Sequence, residues 1–497
     1  MNVAILGTGY VGLTTGACLA YLGHRVACVD RDPSKIAALQ RGEAPFYEPF
    51  LKELMNAASP NLCFTTEYGE AVPGAEVVFI AVGTPPGPNG TPDLKQLQGA
   101  ARGIAEQLGE GFTVIVNKST VPVGSGNWVE ALVREELKKR HEGIGRTFAV
   151  ASNPEFLREG SAIHDSLYPN RVVIGAEQRK TLEVLYELYR PLLNQSFREP
   201  DFLPRPEKAR SVPLISTDLA SAEIIKYAAN AFLALKISYI NEISRLAEKV
   251  GANIAHVARG IGLDERIGTG FLQAGIGWGG SCFGKDSLAL IATASEYGLD
   301  MPIVTAAREV NRRQRERVVE KLLTNLKILK GRTIGLLGLA FKPETDDLRE
   351  APAIDLARQL IARGARVIAH DPVAMNRFRR EYADLAVSVR ETPEDVISNS
   401  DAVVLVTEWA QYKEIQWEAV AAAGERKRVV VLDGRQAIDG DRLTRAGYHY
   451  LSIVGQNPVT GFEPERDLES PVTVPLESRE ADCSSRVLWS ARSIGAA

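Results

Sequence analysis

The chain has little of what would mark a secreted, metal-binding or membrane protein. Its 497 residues include five cysteines, six histidines, four methionines and 7% aromatics. Cys18, Cys28, Cys63, Cys282 and Cys483 are odd in number, scattered and without metal-ligand spacing, so they read as reduced thiols, and no metal is expected. No apolar run is long enough for a bilayer, and no charged leader with an apolar core precedes the first apolar segment. A cytoplasmic location without a membrane partner is therefore expected. A net charge of −4 gives no electrostatic basis for binding nucleic acid.

What is present is alternation. A chain of this length predicts about two to four domains, and short apolar runs alternate with helical stretches from the first residues onward. Val3–Leu6 reads as a strand, Gly7-Thr8-Gly9-Tyr10-Val11-Gly12 as a glycine turn, and the residues up to Leu22 as a helix. In such a unit Gly7 permits the tight turn, Gly9 the approach of a pyrophosphate to the backbone, and Gly12 close helix–strand packing. A second strand, Arg25–Val29, ends at Asp30, whose carboxylate is placed to accept ribose hydroxyls and to repel a 2′-phosphate. The expected cofactor is NAD, although Arg31 is the kind of neighbour an NADP site uses.

Further buried strands are expected at Val77–Val82, Thr113–Val116 and Phe148–Ala151, which puts the loops at Thr84, Ser119-Thr120 and Asn153–Glu155 on the cofactor side. Arg198–Pro213 reads as an exposed loop. A helix without a break is expected from Asp218, its cap, to about Arg259. A second strand and glycine turn begin at Thr333–Gly338, without the full fingerprint or a clear ribose acid, so a different nucleotide group is expected there. Periodicity fades beyond about Glu463. The fold class is α/β, with two doubly wound, Rossmann-like units joined by a long central helix and a helical middle. The expected domains are 1–213 for NAD, 214–325 for dimerisation, 326–465 for the second nucleotide group and 466–497 as a flexible tail.

The most chemically loaded stretch runs from Gly275 to Asp286 and sets Cys282 between a glycine-rich loop and the Lys285-Asp286 pair. Glycines let a ligand approach the backbone, and a neighbouring cation favours the thiolate that attacks carbon. A cysteine so placed can hold a substrate covalently.

Together with Ser119–Gly124, Asn153–Gly160, Lys226–Asn230, Phe341-Lys342-Pro343, Asp346-Asp347 with Arg349, and Asp433-Gly434-Arg435, these segments resemble the UDP-glucose/GDP-mannose dehydrogenase family to about residue 460. Departures are local: Trp278 stands where Tyr or Phe is usual, Gly284 where Pro is common in bacterial members, and the Arg198–Pro213 loop looks long.

The resemblance implies oxidation of a C6 primary alcohol to a carboxylate by two NAD, with UDP-glucose as the substrate and Cys282 carrying a thiohemiacetal and then a thioester. It implies Lys226 beside the C6 oxygen with Asn230 one turn later, Asp286 and Glu155 as bases, and Thr120 helping to hold water. On the cofactor side it implies Gly7, Gly9, Tyr10, Val11, Gly12, Asp30, Lys35, Thr84, Thr120, Glu159, Lys285 and Arg349. For the substrate it implies Glu155, Phe156, Leu157, Lys226, Asn230, Phe271, Gly275, Gly279, Phe341, Lys342 and Arg435, with Arg266 offered from a partner subunit. The alternatives are a GDP-mannose or UDP-N-acetylhexosamine dehydrogenase, or a binding protein without activity. Apolar periodicity through Ile224, Ala228, Phe232, Leu235 and Tyr239 adds the expectation of at least a dimer.

Overall fold

The computed structural model describes residues 1–87, 90–139, 146–207, 211–423 and 428–455. The expected tail 466–497, with Cys483, lies outside them. The first unit is an eight-stranded sheet of β1 (Asn2–Leu6), β2 (Arg25–Val29), β3 (Leu62–Thr65), β4 (Val77–Ile80), β5 (Gly111–Asn117), β6 (Arg146–Ser152), β7 (Val172–Ala176) and β8 (Leu214–Thr217), in the order β3-β2-β1-β4-β5-β6-β7-β8. All pairs are parallel except β6 with β7. The strands are apolar at successive positions because both faces are covered. Val3 and Ile5 face one core cluster, and Ala4 and Leu6 face another on the opposite side. β8 carries this sheet a few residues past the boundary expected at 213.

The second unit has β9 (Thr333–Leu337), β10 (Arg366–His370), β11 (Val387–Val389), β12 (Ala402–Leu405), β13 (Val430–Asp433) and β14 (His449–Ser452), all parallel, in the order β11-β10-β9-β12-β13-β14. It repeats the first unit in detail. Gly7 (φ 100°) and Gly338 (φ 97°) each donate an N–H to the last carbonyl of the neighbouring strand, Val29 or His370, at 2.8 Å. Asp371 then stands where Asp30 stands. Its oxygens accept the N–H groups of Leu339, Ala340, Val373, Ala374 and the Trp409 indole, so it is spent on the protein and not offered to a ribose.

Between the units runs the central helix Leu219–Val250. Asp218 caps it as expected, accepting the Ser221 N–H at 2.7 Å. The helix does not continue to Arg259. It ends on Gly251, whose left-handed φ of 74° closes the last turn, and a separate helix covers Ile254–Gly262. In the described part of the Arg198–Pro213 loop, Arg198, Glu199, Asp201 and Pro204 are exposed as expected, while Pro200 and Val212 are buried and Phe202 and Leu203 pack on the cluster around Leu13.

Candidate active site

The glycine turn fits the cofactor. A Cβ on Gly12 would stand 1.9 Å from the Gly7 carbonyl oxygen, so only glycine lets the helix Tyr10–Tyr21 sit this close to β1. Gly9, its N-cap, supplies no side-chain bond, leaving the first-turn N–H groups free for phosphate. Asp30 Oδ2 accepts the Thr8 N–H and hydroxyl and the Lys35 ammonium at 2.8 Å, while Oδ1 takes only the Asp32 N–H, at 3.2 Å. Burial opposes the Asp30 charge, but Lys35 and Thr8 outweigh it and hold the carboxyl down at about 2. It is an ionised acceptor with one oxygen largely open.

The reacting groups come from three elements. The central helix brings Lys226 and Asn230, one turn apart, to one face; the loop after β6 brings Glu155; the helix Phe283–Glu296 brings Asp286 and, as its N-cap, half-buried Cys282. Lys226 Nζ meets Glu155 Oε1 at 2.8 Å with both side chains buried. The other Glu155 oxygen accepts the Leu157 N–H at 2.7 Å. Asp286 receives the Asn230 amide at 2.6 Å and the Lys285 ammonium at 2.7 Å. The result is two anchored carboxylates around one thiol.

Charge favours the ammonium but not the thiolate. Burial works against Lys226, yet Glu155, Cys282 and Asp286 raise it above the ordinary lysine value. Burial also works against Glu155, yet Lys226, the Leu157 N–H and Lys118 hold it below the ordinary carboxylate value. At Cys282 burial wins over Lys226, and the neighbouring carboxylates add to it, pushing the thiol up to about 11. The expected thiolate is therefore a neutral thiol here, and its proton must be taken as it reacts.

Other expected residues are brought to the same cleft, several with their polar atoms engaged. Thr84 donates to the carbonyl of Thr120 at 2.8 Å. Tyr10 hydrogen-bonds Glu48. Glu159 meets Ser281, Thr345 and Arg349, and burial together with Asp347 raises its carboxyl. Arg349 spends its guanidinium on Asp347 at 2.7 Å. Arg435 donates to the carbonyls of Val406, Gly277 and Phe341, so the fork expected for a phosphate is holding loops together in this conformation. Lys342 makes no ion pair within 4 Å among the described residues and lies over the Phe341 ring. The loop glycines are pressed chiefly by the second unit: a Cβ on Gly275 would meet the Gly434 carbonyl at 2.8 Å, and one on Gly279 the Glu350 carbonyl at 2.5 Å. Phe271 (φ 64°) packs edge-on against Phe283. Arg266 does not join the cluster; it is exposed and pairs with Asp264 at 2.6 Å.

Two buried acids escaped the sequence reading. Glu48 accepts the Gly160 and Ala162 N–H groups at 2.6 Å, fixing the Glu159 loop against Tyr10. Glu223 accepts the N–H groups of Gly124 and Gly126 and the Ser152 hydroxyl. Each acts on backbone or on another side chain far along the chain, a relation that no local spacing encodes.

Models of the UDP-glucose/GDP-mannose dehydrogenase family match in three parts: the NAD binding domain at residues 1–193, the central domain at 220–313 and the UDP binding domain at 335–440. The chain is 43% identical over 489 residues to the UDP-glucose 6-dehydrogenase TuaD of Bacillus subtilis, covering 97% of this chain and 99% of that protein. It is 43% identical over 460 residues to a UDP-glucose 6-dehydrogenase of Rhizobium meliloti, covering 91% and 99%. A solved UDP-glucose dehydrogenase from Pyrobaculum islandicum superposes with a TM-score of 0.80 at 38% identity, covering 92% of this chain and 98% of that one.

Proposed function

Since the chain belongs to the UDP-glucose/GDP-mannose dehydrogenase family, we propose that this NAD-dependent oxidoreductase oxidises C6 of UDP-glucose to the carboxylate of UDP-glucuronate. The observation that carries the reading is Cys282 at the head of its helix, between the buried Lys226–Glu155 pair and an Asp286 held by Asn230 and Lys285. NAD, when bound, accepts one hydride in each of the two oxidations. Gly7, Gly9, Gly12 and Asp30 are the residues that would hold it.

Lys226 points its ammonium at the C6 oxygen and stabilises the negative charge that develops there, a contact typically worth about 3 kcal/mol. Asp286 takes the alcohol proton. The resulting aldehyde is trapped as the Cys282 Sγ–C6 bond forms, with the thiol proton passing to the aldehyde oxygen through the neighbouring groups. Loss of the second hydride and of the hydroxyl proton leaves a thioester, which water hydrolyses with Glu155 as the base and Thr120 orienting the water. Trapping keeps a reactive aldehyde on the enzyme while the cofactor exchanges. Lys342, without an ion pair of its own, suits the diphosphate, and Phe156, Leu157, Phe341 and Gly275 line the sugar nucleotide.

The enzyme works as at least a dimer in this reading. The central helix exposes Ile224, Phe232, Tyr239 and Leu246, with Phe232 and Leu246 each 61% exposed, an apolar face that one chain leaves open. Arg266, on the loop after the helix Ile254–Gly262, is the residue offered to the partner's substrate. Among the described residues no helix is long and apolar enough to cross a membrane; with Cys18, Cys28, Cys63 and Cys282 unpaired, a cytoplasmic location completes the proposal.

A panel of nucleotide sugars assayed for NADH is the test. UDP-glucose should yield two NADH per sugar. Preference for GDP-mannose or a UDP-N-acetylhexosamine would overturn the substrate assignment, and turnover of none would leave a binding protein.

A further inference from the structure

Behind Lys226 and Thr120 lies a group that this scheme does not use. Asn117 ends β5 and is paired in register with Ser152 at the end of β6, so their side chains share a face of the sheet. Asn117 is 2% exposed, and neither its Nδ2 nor its Oδ1 has a hydrogen-bond partner among the described residues. A buried amide in that condition is destabilising unless something fills both roles. Against it lies a cavity of about 10 Å³, lined also by Thr120, Ser152, Glu223 and Lys226. That is room for one water beside the unpartnered Asn117 amide, in a wall to which Ser152, Glu223 and Lys226 also contribute.

We propose that Asn117, Ser152 and Glu223 form a water site, and that its water is the one that hydrolyses the thioester. The proposal rests on the covalent reading above. Lys226, Glu155 and Asp286 are buried, and once substrate and cofactor close the cleft, bulk water is excluded. The attacking water must then already be inside, and this cavity touches the reacting centre from the protein side, at Lys226 and Thr120. Its oxygen bonds to C6 as the C6–Sγ bond breaks; one proton passes to ionised Glu155 and from there to Cys282, which is regenerated as the thiol. No oxidant is consumed. Asn117 is a positioning residue, acting through the water it holds.

The test uses the full chain with UDP-glucose and NAD, quenched during turnover for intact mass. Asn117→Leu, which fills the cavity with methyl groups, should form its first NADH at the wild-type rate, accumulate the Cys282 thioester and slow steady-state turnover by about tenfold or more. Asn117→Ala, which leaves room for water beside Ser152 and Glu223, should stay within about threefold of wild type. Should Asn117→Leu not fold, Ser152→Val fills the same space from β6 with the same expected adduct. Equal losses in the Leu and Ala variants without accumulated adduct would mean a merely structural Asn117 and overturn the water site, as would wild-type turnover in Asn117→Leu. Undiminished acid formation by Cys282→Ala would overturn the covalent reading, and this proposal with it.

Discussion

At the scale of the residue, the reaction is set by which charges the fold keeps and which it suppresses. Cys282 is a thiol raised to about 11, so its nucleophilicity depends on proton removal at the moment of attack. Cys282→Ala should abolish net acid formation while leaving UDP-glucose binding nearly intact, and Cys282→Ser should stall as an ester visible by intact mass; normal acid production by the alanine variant would end the covalent mechanism. Glu155 and Lys226 form a buried pair whose loss is costly, because removing one partner strands the other. Glu155→Gln should destabilise the protein by about 3–5 kcal/mol. The pH dependence has a definite sign. With the folded Glu155 below its ordinary value of 4.5, its contribution is present above that value and fades as pH falls through the lowered folded one. Thermal melts of the wild type against Glu155→Gln should therefore converge on acidification, and parallel curves would show that the pair contributes no pH-dependent stability.

At the scale of the element, the helix Phe283–Glu296 shows how the two units lock the site together. Its second residue, Gly284, lies so close to the second unit that a Cβ there would stand 1.8 Å from Glu350 Oε2. Glu350 sits at φ 50°, and Arg308, which donates to the Gly284 carbonyl and the Ser287 hydroxyl, offsets part of the burial that raises its carboxyl. Gly284→Ala must push Glu350 aside, at a cost of about 1–3 kcal/mol. Because the obstacle is the end of a flexible side chain, the loss should largely vanish when Glu350→Ala is the background. A double-mutant cycle by denaturant unfolding measures this coupling, and additive losses would place the cost in the Gly284 backbone instead.

At the scale of the whole molecule, the open apolar face of the central helix and the isolated Arg266 carry the dimer proposal. Among the described residues Arg266 pairs with no acid but its own Asp264 within 4 Å, and it is not among the groups that meet Asp286 or Glu155 in its own chain. Heterodimers of Arg266→Ala with Cys282→Ala contain one doubly defective site and one intact site, so mixing two inactive proteins should restore part of the activity. Absence of rescue despite demonstrated subunit exchange would return Arg266 to its own chain, and full activity of a monomer would remove the premise.

The family resemblance implied that Cys282, Lys226, Glu155 and Asp286 share one site, and the sequence by itself determined the two α/β units, the glycine turn with Asp30 and the capped central helix. These are legible because they depend on local quantities: apolar period, a cap residue, glycine spacing and motifs of a few consecutive residues. Tertiary structure alone decided that the helix stops at Gly251, that Asp371 mirrors Asp30 yet is consumed by backbone N–H groups, that Arg435 spends its fork on loop carbonyls and that Cys282 is protonated. A hydrogen-bond donor is used up by whichever acceptor the fold brings to it, and a pKa follows from burial. Asn117 is the sharpest case, an ordinary strand-end asparagine in the sequence whose amide the fold buries without a partner, beside a cavity that Ser152, Glu223 and Lys226 help to line.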